Sequence, residues 1–249
     1  MSDATERLTD EENMRTNDRG ETELTVSHER AARRARWAEI VFIVALSFYA
    51  VLAVLAHHYA YFQWDVSINR AIRSIALPGF NSLMIGLSWL GSDLAPVVLV
   101  VGTGVALMAA GFRLEGLICM IGVSLGSAMN SLLKILIARP RPDPLLIEVL
   151  KQYDHNSFPS GHVTFFVEYF GFLLFLSYVL LKRGRLRNAS FVLFGLLIFL
   201  ISVSRVYMGA HWPSDTLGAY LAGGIWLMLM IEAYSRLKAK RGRSHELHE

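Results

Sequence analysis

The chain has 249 residues, of which 53% are hydrophobic and only 18% charged, with a formal net charge of +3. A mean hydropathy of +0.39 fits an integral membrane protein and argues against an ordinary soluble domain of this length. So small a positive excess, carried in runs beside apolar segments, also argues against a nucleic-acid partner.

Residues 1–36 mix acids and bases without apolar periodicity, which predicts a disordered tail, and they lack the apolar run of a secretory signal. Apolar stretches of roughly the 20 residues needed to cross a bilayer follow at 37–57, 95–112, 114–134, 162–181, 189–208 and 215–235, predicting six spans. The uncharged stretch Ala76–Ser92 is broken by Pro78, Gly79, Asn81 and Gly91, and with the amphipathic DVSINRAIRSI before it is assigned to the membrane interface. With six spans, the basic runs RAARRAR, KRGRLR and RLKAKRGR fall on one side, which the positive-inside rule makes cytoplasmic. The expected organisation is one membrane domain, 37–237, between cytoplasmic tails 1–36 and 238–249. Cys119 is the single cysteine; it excludes an intrachain disulfide and reads as a small core hydrophobe.

Three polar clusters lie at span ends on the opposite, extracytoplasmic face. The first is KILIARPRP, with Lys134 and Arg141; the second is NSFPSGHVTFF, with Pro159, Ser160, Gly161 and His162; the third is SRVYMGAHWPSD, with Ser204, Arg205, His211 and Asp215. Two arginines and a lysine can hold phosphate oxygens, Arg as a planar fork and Lys as a point charge. Ser160 offers a hydroxyl, and Gly161 lets a backbone N–H approach an anion at a helix N-terminus. Two histidines can then divide nucleophilic attack and proton donation between them. If the segment is helical, Asp215, four residues after His211, shares its face and can accept from one imidazole nitrogen.

In order and spacing these clusters resemble the signature of the type 2 phosphatidic acid phosphatase (PAP2) superfamily: K-x6-R-P at Lys134–Pro142, P-S-G-H at Pro159–His162 and S-R-x5-H-x3-D at Ser204–Asp215. The resemblance covers about residues 60–235. It implies an all-α, six-helix membrane enzyme with a core like that of the vanadium haloperoxidases, hydrolysing lipid phosphate esters or diphosphates without a metal or other cofactor. It further implies that His211 is the nucleophile and forms a phosphohistidine, that Asp215 orients it, and that His162 is the general acid. Lys134, Arg141, Ser160, Gly161 and Arg205 would bind the phosphate.

Outside the signature, Arg139 reads as an interfacial anchor and His57, His58 and His155 as structural. Glu168, six residues into a span, must face the bundle interior, either in a structural polar contact or lining a substrate path. The loop LLIEVLKQY is either a lid or an ordinary interfacial loop. A phospho-headgroup transferase and a non-catalytic interaction protein are the competing readings; an intact cradle and both histidines argue against them. The clusters lack the several carboxylates that hard cations prefer. A site at the membrane edge implies a substrate that stays in the bilayer. The expected substrate is a polyprenyl diphosphate such as undecaprenyl diphosphate, with phosphatidate or phosphatidylglycerophosphate as the alternative, in the plasma membrane. Nothing in the sequence sets an oligomeric state.

Overall fold

A computed structural model describes residues 32–33 and 35–246. The expected tail 1–36 therefore lies almost wholly outside the described residues. Two units are distinguished, Met1–Val44 and Ala45–Glu249. The described part of the first is helical and holds the beginning of α1 (Ala35–His58). The second holds the rest of α1, followed by α2 (Gln63–Arg73), α3 (Phe80–Leu90), α4 (Ala95–Ala109), α5 (Arg113–Ile137), α6 (Gly161–Leu180), α7 (Arg185–Tyr207) and α8 (Pro213–Glu246). No strand occurs among the described residues.

Five helices, α1, α5, α6, α7 and α8, are individually long and apolar enough to cross a membrane. Helix α4, expected to span alone over 95–112, has 15 residues, about 22 Å at 1.5 Å per residue. That is short of the roughly 30 Å hydrocarbon core. It meets the test together with α3, from which it is bent by 61°; counting this pair as one crossing gives six. The stretch Ala76–Ser92, expected at the interface, holds the helix α3. The breakers read in that stretch do act, but as the ends of α3: Gly79 caps its start at φ 77° and Gly91 its end. Asp93 then turns the chain at φ 50°.

Helix α6 is largely apolar and is the most buried of the long helices. It packs against α5, α7 and α8, burying Val163, Phe166, Phe170 and Phe172. Helices α4 and α5 cross closely because glycines meet: a Cβ at Gly116 would stand 2.5 Å from the Gly104 carbonyl oxygen, the small-residue contact that brings membrane helices together. Exposed Val98, Ile135 and Val192 mark lipid-facing surface. The boundary expected at 237 falls inside α8, which runs on to Glu246. Good helix formers continue there, and the i,i+4 pair Glu232–Arg236 bonds along its surface.

The amphipathic α2 buries Asp65, Val66 and Asn69. Asn69 donates to the Val206 carbonyl at 2.8 Å, which ties α2 to the end of α7. At this same end the C-termini of α5 and α7 meet the N-termini of α6 and α8: Ser157 N–H donates to Arg139 O at 2.8 Å and Ser160 N–H to Asp215 O at 3.2 Å.

Candidate active site

Helix α5 ends with Ala138 at φ 52°, and the segment after it, rich in proline, carries Arg141 back over the bundle. Lys134, in the last turn of α5, donates from Nζ to the Asn156 carbonyl at 3.0 Å, and Asn156 Nδ2 donates in return to Lys134 O at 2.9 Å. Arg141 donates from Nε to His155 O and from Nη1 to Ala210 O, both at 2.6 Å. Arg205, in the last turn of α7, donates from Nη1 to Ser88 Oγ at 2.5 Å. Tyr153 lies between the two arginines, with its ring 4.7 Å from the Arg141 guanidinium and 5.2 Å from that of Arg205. Burial, and after it the charge of Arg205, lowers Arg141 to about 10, so it remains cationic at neutral pH.

Ser160 is the N-cap of α6 and Gly161 its first residue. A Cβ on Gly161 would stand 3.2 Å from Asn130 Nδ2 and 3.7 Å from Lys134 Cε. The glycine therefore lets the helix N-terminus sit beside the lysine. Ser160 Oγ and Arg205 Nε are buried without a hydrogen-bond partner among the described residues. Such orphaned donors are costly unless a ligand satisfies them, and at a helix N-terminus ringed by cations the fitting ligand is an anion.

The two histidines hold opposite tautomers. His211 Nε2 lies 3.3 Å from Arg141 Nη1. Because a guanidinium only donates, Nε2 must present its lone pair. The other nitrogen, Nδ1, lies 3.5 Å from Asp215 Oδ2 and 3.4 Å from Ser157 Oγ. The Ser157 hydroxyl gives its proton to Asp215 Oδ2 in a very short bond, so its oxygen accepts from Nδ1–H. His162 Nε2 lies 3.0 Å from Ser92 Oγ, whose proton goes to Ser88 O at 2.9 Å; here Nε2 carries the hydrogen. Burial, followed by the charges of Lys134, Arg141 and Arg205, holds the His211 imidazole well below the ordinary histidine value. The ring is neutral at neutral pH, with a bare nitrogen beside a cluster of cations.

Asp215 sits in the first turn of α8, after the turn that holds His211, so its carboxylate reaches the imidazole from a helix start and not along a shared helical face. Its Oδ2 also accepts from Trp212 N–H at 2.9 Å. Its Oδ1 accepts from Arg139 Nη1 at 2.5 Å. Arg139, expected to be an interfacial anchor, is instead fully buried and paired with Asp65 at 3.1 Å as well as with Asp215. It also donates to Tyr59 O at 3.2 Å and Ser214 Oγ at 2.7 Å. The reason for the correction is charge balance: two carboxylates buried at the junction of α2 and α8 need a buried cation between them. Sequence reasoning passed over Ser157, Asn156, Ser92 and Asp65 as well. Asp65 carried a usable signal, an acid on the apolar side of an amphipathic helix.

The remaining polar residues separate by position. His57 Nδ1 lies 2.9 Å from Ile137 O, a structural contact, and His155 enters the site through its carbonyl alone. The 143–150 loop is bound to α2: Arg73 pairs with Glu148 and Arg70 donates to Leu146 O at 3.1 Å. Glu168 is buried within the bundle, away from this cluster, with Oε2 unpartnered among the described residues.

Comparison with known proteins agrees with this architecture. The family model of the PAP2 superfamily matches residues 115–239. Phosphatidylglycerophosphatase B of Bacillus subtilis (strain 168) is 29% identical over 201 residues, covering 79% of this chain and 95% of the relative. The crystal structure of a transmembrane PAP2-type phosphatidylglycerolphosphate phosphatase from Bacillus subtilis superposes with a TM-score of 0.66 at 26% identity, over 78% of this chain and 96% of the other. LpxE of Aquifex aeolicus shares the fold, with a TM-score of 0.52 at 23% identity over 69% of this chain and 96% of the other. With its multi-pass helical fold and the family match over half its length, the chain belongs to the PAP2 superfamily and is a membrane phosphatase of the PAP2 lipid-phosphatase type.

Proposed function

We propose that the chain removes phosphate from a membrane lipid by way of a phosphohistidine on His211. The observation that carries this reading is the bare Nε2 of a neutral His211, set 3.3 Å from Arg141 and beside two buried donors that lack partners, Ser160 Oγ and Arg205 Nε. In the first step Nε2 attacks phosphorus, the bond to the lipid oxygen breaks, and His162, entering the step as the imidazolium, gives that oxygen a proton and becomes neutral. Asp215 and Ser157 hold Nδ1–H and stabilise the charge that forms on the ring. Lys134, Arg141, Arg205, Ser160 and the Gly161 N–H hold the phosphoryl oxygens as their charge grows. In the second step water gives a proton to His162 and attacks phosphorus, the P–N bond breaks, and inorganic phosphate departs.

The test is phosphate release from purified protein in mixed micelles. His211→Ala is expected to lose activity by orders of magnitude, and brief mixing with 32P-labelled substrate followed by alkaline quench is expected to trap label in wild type and not in the variant. Orthovanadate is expected to inhibit as a mimic of the five-coordinate transition state, and EDTA to leave activity intact. Activity in His211→Ala above about a tenth of wild type, or strict dependence on added magnesium, overturns the reading.

For the lipid itself, a glycerolipid phosphate of the phosphatidylglycerophosphate or phosphatidate kind is supported by the relative that shares nearly its whole length with this chain. Undecaprenyl diphosphate is the second reading. It is supported by a site we place at the extracytoplasmic edge of the plasma membrane, where such carriers are released, and by short loops that offer little protein to read a headgroup. A tenfold advantage in kcat/KM, about 1.4 kcal/mol of transition-state discrimination, decides between them.

A further inference from the structure

Beneath the cradle, between α1, α5, α6 and α8, lies a cavity of about 240 Å³. Its mouth carries Leu46, Met129 and Leu229, which are exposed on the lipid-facing side. Its wall carries Glu168, 1% exposed, and Tyr49, 9% exposed. Glu168 Oε2 and the Tyr49 hydroxyl have no hydrogen-bond partner among the described residues. The space occupied by the carboxyl is kept open by Gly126, where a Cβ would stand 2.3 Å from Oε2. A purely structural acid in a bundle finds a partner, because leaving a polar group unsatisfied in hydrocarbon costs several kcal/mol. This acid is accompanied by a second orphan, and both line a space that opens toward the bilayer.

Position relates the cavity to the cradle. Gly161, Thr164 and Glu168 follow one face of α6, and Glu168 lies seven residues below Gly161, about 10 Å along the axis. Its side chain points back toward the helix N-terminus, which shortens the gap. Asn130 lines the cavity and also stands beside Gly161, while its Oδ1 accepts from Thr164 at 3.1 Å; it forms the step between the two spaces. In an acylated glycerol phosphate the ester carbonyl reaches roughly 8 Å from phosphorus at ordinary bond lengths, which leaves a hydrogen bond's length to Glu168. An isoprenoid chain has nothing polar at that depth.

We propose that this cavity is an acyl subsite, in which Tyr49 and Glu168 hydrogen-bond an ester carbonyl of a lipid whose phosphate lies in the cradle. The inference rests on the reading of the cradle as a lipid-phosphate site and narrows it to acylated lipids. A carboxylic acid both donates and accepts, and so does the amide of glutamine. The subsite therefore distinguishes an ester from the matching ether, which lacks the carbonyl.

The experiment compares kcat/KM for dioleoyl phosphatidate and for its dioleyl ether counterpart, with the full chain in identical mixed micelles. Wild type is expected to favour the ester by about tenfold, the value of one well-placed hydrogen bond. Glu168→Leu is expected to bring the ratio near one by lowering the ester alone, and Glu168→Gln to keep most of it. Tyr49→Phe deletes only a hydroxyl that has no partner among the described residues; it is expected to keep the fold and to lower the ratio in part, so the proposal stays open to test if Glu168→Leu does not fold. Equal wild-type activity on ester and ether, or an equal loss on both in Glu168→Leu, overturns the acyl subsite while leaving the phosphatase reading in place. Phosphate release from neither lipid but from undecaprenyl diphosphate overturns the subsite alone, and release from none of these lipids nor from phosphatidylglycerophosphate overturns both.

Discussion

Asp215 has two carboxylate oxygens, and they meet different neighbours. Oδ2 faces the His211 ring, Ser157 and Trp212 N–H, whereas Oδ1 is bound by Arg139, which Asp65 holds from behind. Asp215 is therefore held by one prong of a guanidinium whose other prong holds Asp65, and Arg139→Lys keeps the charge but cannot bridge the two carboxylates in that geometry. The expected outcome is a fall in kcat of about tenfold or more with KM little changed, since the arginine touches no phosphate-binding group. Asp65→Asn is expected to act in the same direction. A fall in kcat/KM carried by KM alone would show that the pair does not position Asp215. The pH profile tests the ring itself. Attack needs neutral His211, and the lowered pKa keeps the ring neutral below the ordinary 6.5, so the acid limb of kcat/KM is expected well below pH 6.5. As pH falls through the native value the ring gains its proton and activity is lost. Arg141→Gln removes one repelling cation and is expected to move the limb upward, whatever it does to the height of the profile. The residues singled out from the three motifs stood out in the sequence because most carry a reactive or charged group next to a proline, a glycine or a span end, and the structure gathers them at one end of the bundle. Ser157 and Asn156 were not, because a serine and an asparagine in a loop look alike whether they bridge a histidine to its aspartate or merely meet water. Arg139 was misread because its partners lie 74 and 76 positions away in the chain.

At the level of elements, the break between α3 and α4 shapes the site. It brings Ser92 to His162 Nε2 and places Gly91 so close that a Cβ there would stand 2.6 Å from His162 Cδ2. Gly91→Ala is therefore expected to push the His162 ring off Ser92 and to lower kcat by about tenfold, the order of a misplaced general acid. Gly86→Ala, in the same helix where a Cβ meets nothing within 4 Å, is the control and is expected to leave turnover unchanged. Equal activity in the two variants would separate the break from catalysis. The long helices were legible from hydropathy alone, since an unbroken apolar run near 20 residues has few other fates. The α3–α4 pair was not, because proline and glycine signals mark where a helix stops and say nothing of whether the next begins at the same depth. The continuation of α8 beyond 237 escaped for a related reason: loss of hydropathy ends a span, but it does not end a helix of good formers.

For the whole molecule, the orientation we propose has six crossings, which put the basic runs on one side and the site on the other, and the sign of the loops then sets which side is which. Each basic run lies within reach of a span end in the sequence, where lysine and arginine bias orientation most, so the proposed orientation puts these runs on the cytoplasmic side. That orientation is open to chemical labelling because Cys119 is the single cysteine and is buried. In a Cys119→Ser background, Asp143→Cys and His155→Cys introduce thiols at exposed positions beside the site, and Gly184→Cys does so in the exposed turn between α6 and α7 at the other end. An impermeant maleimide applied to intact cells is expected to label the first two and to reach the third only after the membrane is permeabilised. None of the three residues belongs to the proposed catalytic set, so phosphate release from each variant reports whether it is folded. Labelling of Gly184→Cys in sealed cells, with protection of the other two, would put the chemistry on the cytoplasmic face. A lipid carrier released outside could then no longer be the substrate, whereas a glycerolipid phosphate made on the inner leaflet still could.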